Sequence, residues 1–318
     1  MAVTRRNILT DATARGQYAL GVNLLKREFT GPTTASLGIP GTSRRISTYD
    51  LFVVWHHTAM STMTPPQQGD RNAAHRGPVF FPWHRFMLLQ LELNLQRVLN
   101  DDTFGLPYWD WAADGAGTPS QQRRSALWNA GAMGGTGSPV RTGPFRFNSN
   151  DPDGFRVRIE VDANGRLVQS NRGLRRNLGR SIPTLPTKVD TAGAIDMTPY
   201  DAPDWNTASP GFRNRAEGWS PPEAPALHNR VHVWVGGDML PSSSPNDPVF
   251  YLNHCNEDRM WEAWMTRHGR TYVPLQTAPA SLRGHRLNDQ MLSLISAAMR
   301  PADVLDVRSL YVYDSLDV

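Results

Sequence analysis

Cysteine is almost missing from this chain of 318 residues: Cys255 stands alone, so no intrachain disulfide can form. A small secreted scaffold held by cross-links is thereby excluded, although export is not. Lysine is scarce as well, Lys26 and Lys188 being the only two. The remaining cations are arginines scattered along the chain, and a net charge of +4 without a basic stripe argues against a nucleic-acid partner. No run approaches the roughly 18 apolar residues of a membrane span, so no membrane association is expected. The apolar stretch that a cleaved signal peptide needs does not follow Arg5-Arg6. That pair reads either as a twin-arginine signal or, more simply, as a helix N-terminus. No fixed-period repeat is visible, which removes solenoids and propellers.

What is present belongs to a globular protein: 39% hydrophobic residues, 19% charged and ten tryptophans. The length admits one large domain or two small ones, and we read a single domain over residues 1–318. Apolar periodicity predicts helices over residues 11–28, 49–60, 83–99, 225–236 and 251–268. In the third, Phe86, Leu89, Leu93 and Val98 are available for a buried face. Residues 106–111 form an aromatic knot that suits core packing. The stretch 112–215 is rich in Gly, Pro, Ser and Asn and reads as loop. Within it a small β-hairpin is expected over 156–169, around Asn164-Gly165.

Histidine carries the chemistry. Seven of the nine histidines lie at 56–84 and 228–254, and none falls between His84 and His228. His228 and His232 stand four apart, on one face of a helix, close enough to share a metal. A metalloprotease would need a glutamate directly after the first of them, and Asn229 stands there. His254 offers a third donor, and His56, His75 and His84 offer the same count in the first cluster. Imidazole donors without carboxylates suit copper and disfavour magnesium, calcium, manganese and carboxylate-bound iron. Zinc remains open on ligand type alone.

Trp55-His56, the run Asp70-Arg71-Asn72-Ala73-Ala74-His75 and Phe81-Pro82-Trp83-His84-Arg85 resemble the first copper motif of bacterial tyrosinases. Leu227-His228-Asn229-Arg230-Val231-His232 is similar to the second, with Pro245-Asn246-Asp247-Pro248-Val249-Phe250 leading to His254. Further likenesses at Leu106 to Trp111, Leu174 to Asn177, Phe212 to Asn214 and Tyr311 to Tyr313 spread the resemblance over nearly the whole chain.

The resemblance implies a mainly α fold, a four-helix bundle around a dicopper centre with long loops and a small β-hairpin. It implies His56, His75 and His84 as ligands of one copper, and His228, His232 and His254 as ligands of the other. It further implies dioxygen as the co-substrate and small phenols as the substrates, with monophenols ortho-hydroxylated before the o-diphenols are oxidised to o-quinones. Catechol or o-aminophenol oxidation alone, and haemocyanin-like oxygen binding, are the alternatives. Glu217 and Asn229 match the pair thought to hold a proton-accepting water. Phe250 matches a bulky residue over the first copper, and Val233 a position that influences substrate handling.

Asn253 stands where many relatives have a second histidine, His57 competes with His56 for a ligand position, and His268 and His285 read as surface residues. Met60 and Met63 read as core filling, Cys255 as a buried thiol, and Asn246 and Asp258 as structural polar groups. Five residues follow Tyr313, so a shielding C-terminal domain is not expected. Some bacterial members use a small helper protein for copper loading and export. The chain is therefore read as cytoplasmic or exported with such a helper, and its oligomeric state is left open.

Overall fold

In a computed structural model of the chain, described for residues 2–152, 154–219 and 224–318, the first helices begin where the sequence supplies a cap. The Asp11 carboxylate accepts from the Ala14 N–H at 2.8 Å to open α1 (Ala12–Arg27). Ser47 accepts from the Asp50 N–H at 3.0 Å to open α2 (Thr48–Ser61). The next helix, α3 (Phe80–Leu99), starts three residues earlier than expected. Pro82 lies in its first turn, where a missing N–H leaves no intrahelical bond unmade. Its buried face runs through Leu88, Leu91 and Leu95, whereas Leu93 is 57% exposed and Val98 only half-buried.

The segment read as loop holds more helix than expected: α4 (Trp111–Gly115), α5 (Pro119–Gln122), α6 (Lys188–Ile195) and α7 (Phe212–Glu217). These pieces are too short to show a periodic apolar face, so tertiary contacts fix them where pattern could not. Two further helices, α8 (Leu227–Val235) and α9 (Val249–His268), follow. Each ends at a glycine of positive φ, Gly236 at 65° and Gly269 at 92°.

The hairpin forms as expected, from β2 (Val157–Val161) and β3 (Leu167–Arg172). Asp162 Oδ1 accepts from the Asn164 and Arg166 N–H groups at 2.9 Å each, and Gly165 takes φ 77° in the turn. The chain start is a strand and not the expected helix N-terminus. Val3–Arg5 forms β1, parallel to β4 (Tyr311–Tyr313), with Val3 opposite Tyr311. Arg5 is fully buried; its guanidinium meets Glu92 at 2.9 Å and Asp258 at 3.2 Å and lies 3.4 Å from the Tyr311 ring centroid.

Helices α2, α3, α8 and α9 surround the histidines, and one continuous core joins them. Against their outside packs α1, where a Cβ on Gly21 would come within 2.7 Å of Leu95. Three elements are tied to the approach to α9. The Tyr18 hydroxyl donates to the Pro248 carbonyl at 2.6 Å, and that of Tyr49 to the Pro245 carbonyl at 2.7 Å. Arg176 grips Asp247 through two bonds of 2.7 Å. Among the described residues, no helix is long and apolar enough to cross a membrane.

Candidate metal centre

Each ligand helix delivers its imidazole to one buried point. His56 comes from α2, His84 from the first turn of α3, His228 and His232 from successive turns of α8, and His254 from α9. His75 comes from the loop between α2 and α3, whose Asn72 side chain accepts from the backbone N–H of Ala74 at 3.1 Å and of His75 at 2.7 Å. The rings gather as two triads, His56, His75, His84 and His228, His232, His254, each with one nitrogen per ring within 4.8 Å of the others. The triads face each other: His84 and His254 stack at 4.1 Å with planes 12° apart, and His75 and His228 lie 5.9 Å apart. All the sequence-derived ligand candidates are thus brought together. His57 is outside the first triad, its Nδ1 2.8 Å from the Ser242 hydroxyl.

Whether a cation fits is decided by the ring nitrogens. Nδ1 of His56, His84 and His232 lies 2.7, 2.8 and 2.6 Å from the carbonyls of Ser242, Phe80 and Met239. A carbonyl only accepts, so these rings carry their proton on Nδ1 and turn an Nε2 lone pair inward. Among the described residues, Nε2 of His84 and of His232 meets no hydrogen-bonding group. His56 and His75 bring their Nε2 atoms to 3.2 Å, and His228 and His254 to 3.1 Å. Converging lone pairs of this kind repel unless a cation lies between them, and neutral imidazole sets without carboxylates suit copper. Burial is the first cause that lowers the pKa of every one of these rings, to about 3 for His56 and about 4 for His232. The triads are therefore neutral donors at pH 7.

Glu217 and Asn229 flank the triads. Glu217 is fully buried at the end of α7; its Oε1 accepts from the Arg76 N–H at 2.7 Å and lies 3.6 Å from His75 Nδ1. Its Oε2 accepts from Arg213 at 3.1 Å, and Arg213 is held in turn by Asp201 at 2.7 and 3.1 Å. His228 Nδ1 lies 3.0 Å from Asn229 Oδ1 and 3.3 Å from the Glu217 carbonyl. Glu217 thus touches a ring of each triad, and among the described residues the Asn229 NH2 group is left as a donor. Phe250 is buried between the triads, 4.8 Å from His56 and 4.1 Å from His254. Val233, beside His232 on α8, is half-buried.

Some expectations are corrected here. His285 is not a surface residue: it is fully buried, its Nε2 2.8 Å from the Thr64 hydroxyl and its Nδ1 accepting from the Val79 N–H at 3.4 Å. It ties the loop that carries His75 to the C-terminal part of the chain, a long-range contact with no local signal. His268 is half-buried, its Nε2 2.8 Å from the Ile195 carbonyl. Met60 and Met63 are likewise only half-buried. Cys255 is a buried thiol, as expected, 3.4 Å from the Leu106 carbonyl. Asn246 and Asp258 are buried structural groups; the Asn246 amide donates to the Ile159 carbonyl at 2.8 Å. The carbonyls of Ser242, Phe80 and Met239, which set the ligand tautomers, had no signature because every residue has a carbonyl.

Comparison with known proteins agrees with this geometry. The common central domain of tyrosinase matches residues 46–267. A tyrosinase of Streptomyces glaucescens is 40% identical over 277 residues, covering 86% of this chain and 90% of that protein. A tyrosinase of Streptomyces antibioticus is 39% identical over 276 residues, covering 85% and 90%. Among solved structures, a polyphenol oxidase from Thermothelomyces thermophila superposes with a TM-score of 0.72 at 22% identity, over 99% of this chain and 89% of that one.

Proposed function

From the tyrosinase family, to which this chain belongs, we infer how its own residues divide the work of a copper-dependent phenol oxidase. The chain is a tyrosinase-type oxidoreductase that hydroxylates monophenols at the ortho position and oxidises o-diphenols to o-quinones with dioxygen. Restricted catechol or o-aminophenol oxidation and oxygen carriage are not favoured. The observation that carries the assignment is the pair of facing all-histidine triads, with carbonyls at Nδ1 of His56, His84 and His232 that turn their Nε2 lone pairs inward.

His56, His75 and His84 would hold one copper, and His228, His232 and His254 the other. Such a pair would supply the two electrons that dioxygen needs, one from each ion. The remaining steps belong to side chains. A phenol must lose its hydroxyl proton to react, and a water between Glu217 and Asn229 accepts it: Glu217 takes a hydrogen bond from that water and raises its basicity, while the Asn229 NH2 orients it. Arg213 and the Arg76 N–H hold the Glu217 carboxylate still. Phe250 walls the space between the triads, and Val233 borders the approach to His232, where both shape access for the ring of the substrate. The whole of residues 1–318 acts as one catalytic domain, and the continuous core supports that reading.

The partners are small phenols, with a copper-delivery helper as a further partner and either the cytoplasm or helper-assisted export as the setting. Oxygen uptake by copper-loaded protein, with a monophenol and the matching catechol and a His232→Ala control, tests the reading. Uptake with both substrates, lost in the control, is expected. Uptake with catechol alone would remove Glu217 and Asn229 from their role, and no uptake with either would overturn the enzyme reading.

A further inference from the structure

Five of the six ligand rings have an outer partner within 3.6 Å of Nδ1: a main-chain carbonyl for His56, His84 and His232, the Asn229 side chain for His228, and the Glu217 carboxylate for His75. His254 has none. Its Nδ1 is buried and meets no hydrogen-bonding group among the described residues. His84, also on a long helix, uses the carbonyl four residues back, at Phe80; His254 does not use the equivalent carbonyl of Phe250.

The same face of α9 carries other buried polar atoms in the same condition. Among the described residues, both oxygens of Glu257 lack a partner, as do both ends of the Asn253 amide and the Trp261 indole N–H. Glu257 and Asn253 are 1% and 0% exposed. At about 100° per residue, positions 253, 254, 257 and 261 fall within a single arc of roughly 100°. Glu257 lies between the His254 layer and the Trp261 layer, where Phe80 lies 6.1 Å from His254 and Phe81 lies 5.4 Å from Trp261. A buried carboxyl without a partner costs several kcal/mol in any protein, so four such groups on one stripe call for a shared partner. A single internal water needs two to four polar neighbours, and this stripe offers that number.

We propose that Glu257 is a positioning residue for the second copper: together with Asn253 it holds internal water that accepts the Nδ1–H of His254 and so fixes that ring as a ligand. The proposal rests on the dicopper reading of the site. It makes His254 like its five neighbours, with a carboxyl group acting through water where they use direct acceptors.

The test is copper binding rather than turnover. Apo protein is titrated with copper by equilibrium dialysis, in the wild type, Glu257→Gln and Glu257→Leu, with thermal melting of each apo form as the folding control. The wild type binding two coppers upholds the dicopper reading; binding none would overturn that reading and the proposal with it. With two sites in the wild type, Glu257→Leu weakens one of them about 10–100-fold and leaves the other, while Glu257→Gln stays within about threefold because it can still bond the water. Wild-type affinity in folded Glu257→Leu, or an equal loss in both variants, would overturn the proposal. Should Glu257→Leu not fold, a high-resolution crystal structure of the wild type decides: water density within hydrogen-bonding distance of His254 Nδ1 and Glu257 supports it, and a dry, closed stripe overturns it.

Discussion

Stripping the copper should turn this protein acid-labile at pH values where the loaded form is untouched. Burial pushes His56 and His285 down to about 3 and His232 to about 4, and lowers the other four ligands as well. In the unfolded chain each returns to about 6.5. Because the folded values are depressed, the unfolded state binds more protons below pH 6.5. The stability is therefore fully present above that value and is lost as the pH falls toward the folded values. Each group contributes about 1.4 kcal/mol per pH unit inside its window. His56, His285 and His232 alone give a slope of about 4 kcal/mol per unit, against a total stability on the order of 5–15 kcal/mol. Unfolding of the apo form is expected between about pH 6 and 4, with a melting temperature already lower by about 10 °C at pH 5.5 than at pH 7. Bound copper would add its binding free energy to the folded form without changing what the unfolded histidines take up, so the loaded form should unfold only at lower pH. Melting of both forms followed by circular dichroism from pH 7.5 to 4.5 measures this offset. An apo melting temperature that stays flat between pH 7 and 5 would refute the claim that burial holds these rings neutral.

Glu217→Gln should lower monophenol kcat about 100-fold while catechol oxidation stays within about threefold. Oxygen uptake with both substrates measures this, and an equal loss on both would mean that Glu217 acts by placing His75 rather than by serving a proton-accepting water. Copper content separates the adjacent histidines: His56→Ala should lose one of two coppers, and His57→Ala should keep both because its bond is to Ser242 outside the triad. Loss of copper in both variants would show that the Ser242 contact is needed for loading.

The gathering of the histidines into two groups was legible because spacing of this kind leaves a local trace. His228 and His232 are spaced by one helical turn, and the gap in histidines between 84 and 228 separates the two triads. The hairpin was legible for the same reason, its Asn164-Gly165 turn being a local conformational demand. The short helices α6 and α7 were not, since eight and six residues cannot display a period. Arg5, His285 and Arg213 were also misjudged or passed over. Their burial depends on partners more than ten residues distant, Asp258, Thr64 and Asp201, and a charged residue read alone defaults to the surface.

Those distant partners bear on how the two triads keep their separation. His84 and His254 stack across the interface of α3 and α9, and one turn further along the same interface Arg85 bonds Asp258 and meets Glu262 at 2.7 Å. The Asp258 carboxylate also takes the Tyr311 and Tyr313 hydroxyls at 2.6 Å each and Arg5 at 3.2 Å, tying in both ends of the chain. Apolar residues would hold two helices together with less desolvation, but they would permit sliding that a directional ion pair resists. Arg85→Met leaves Asp258 and Glu262 buried with fewer partners and should cost about 3–5 kcal/mol by chemical denaturation. Adding Glu262→Gln removes one uncompensated charge, keeps an amide oxygen for Arg270 and leaves Asp258 its bonds to Arg5, Tyr311 and Tyr313, so it should restore part of that loss. Copper affinity should separate from stability in this series, remaining weakened in the double variant although its fold is partly recovered. A double variant that regains both stability and wild-type copper binding would refute the link between the clamp and the triad spacing, leaving packing alone to set it.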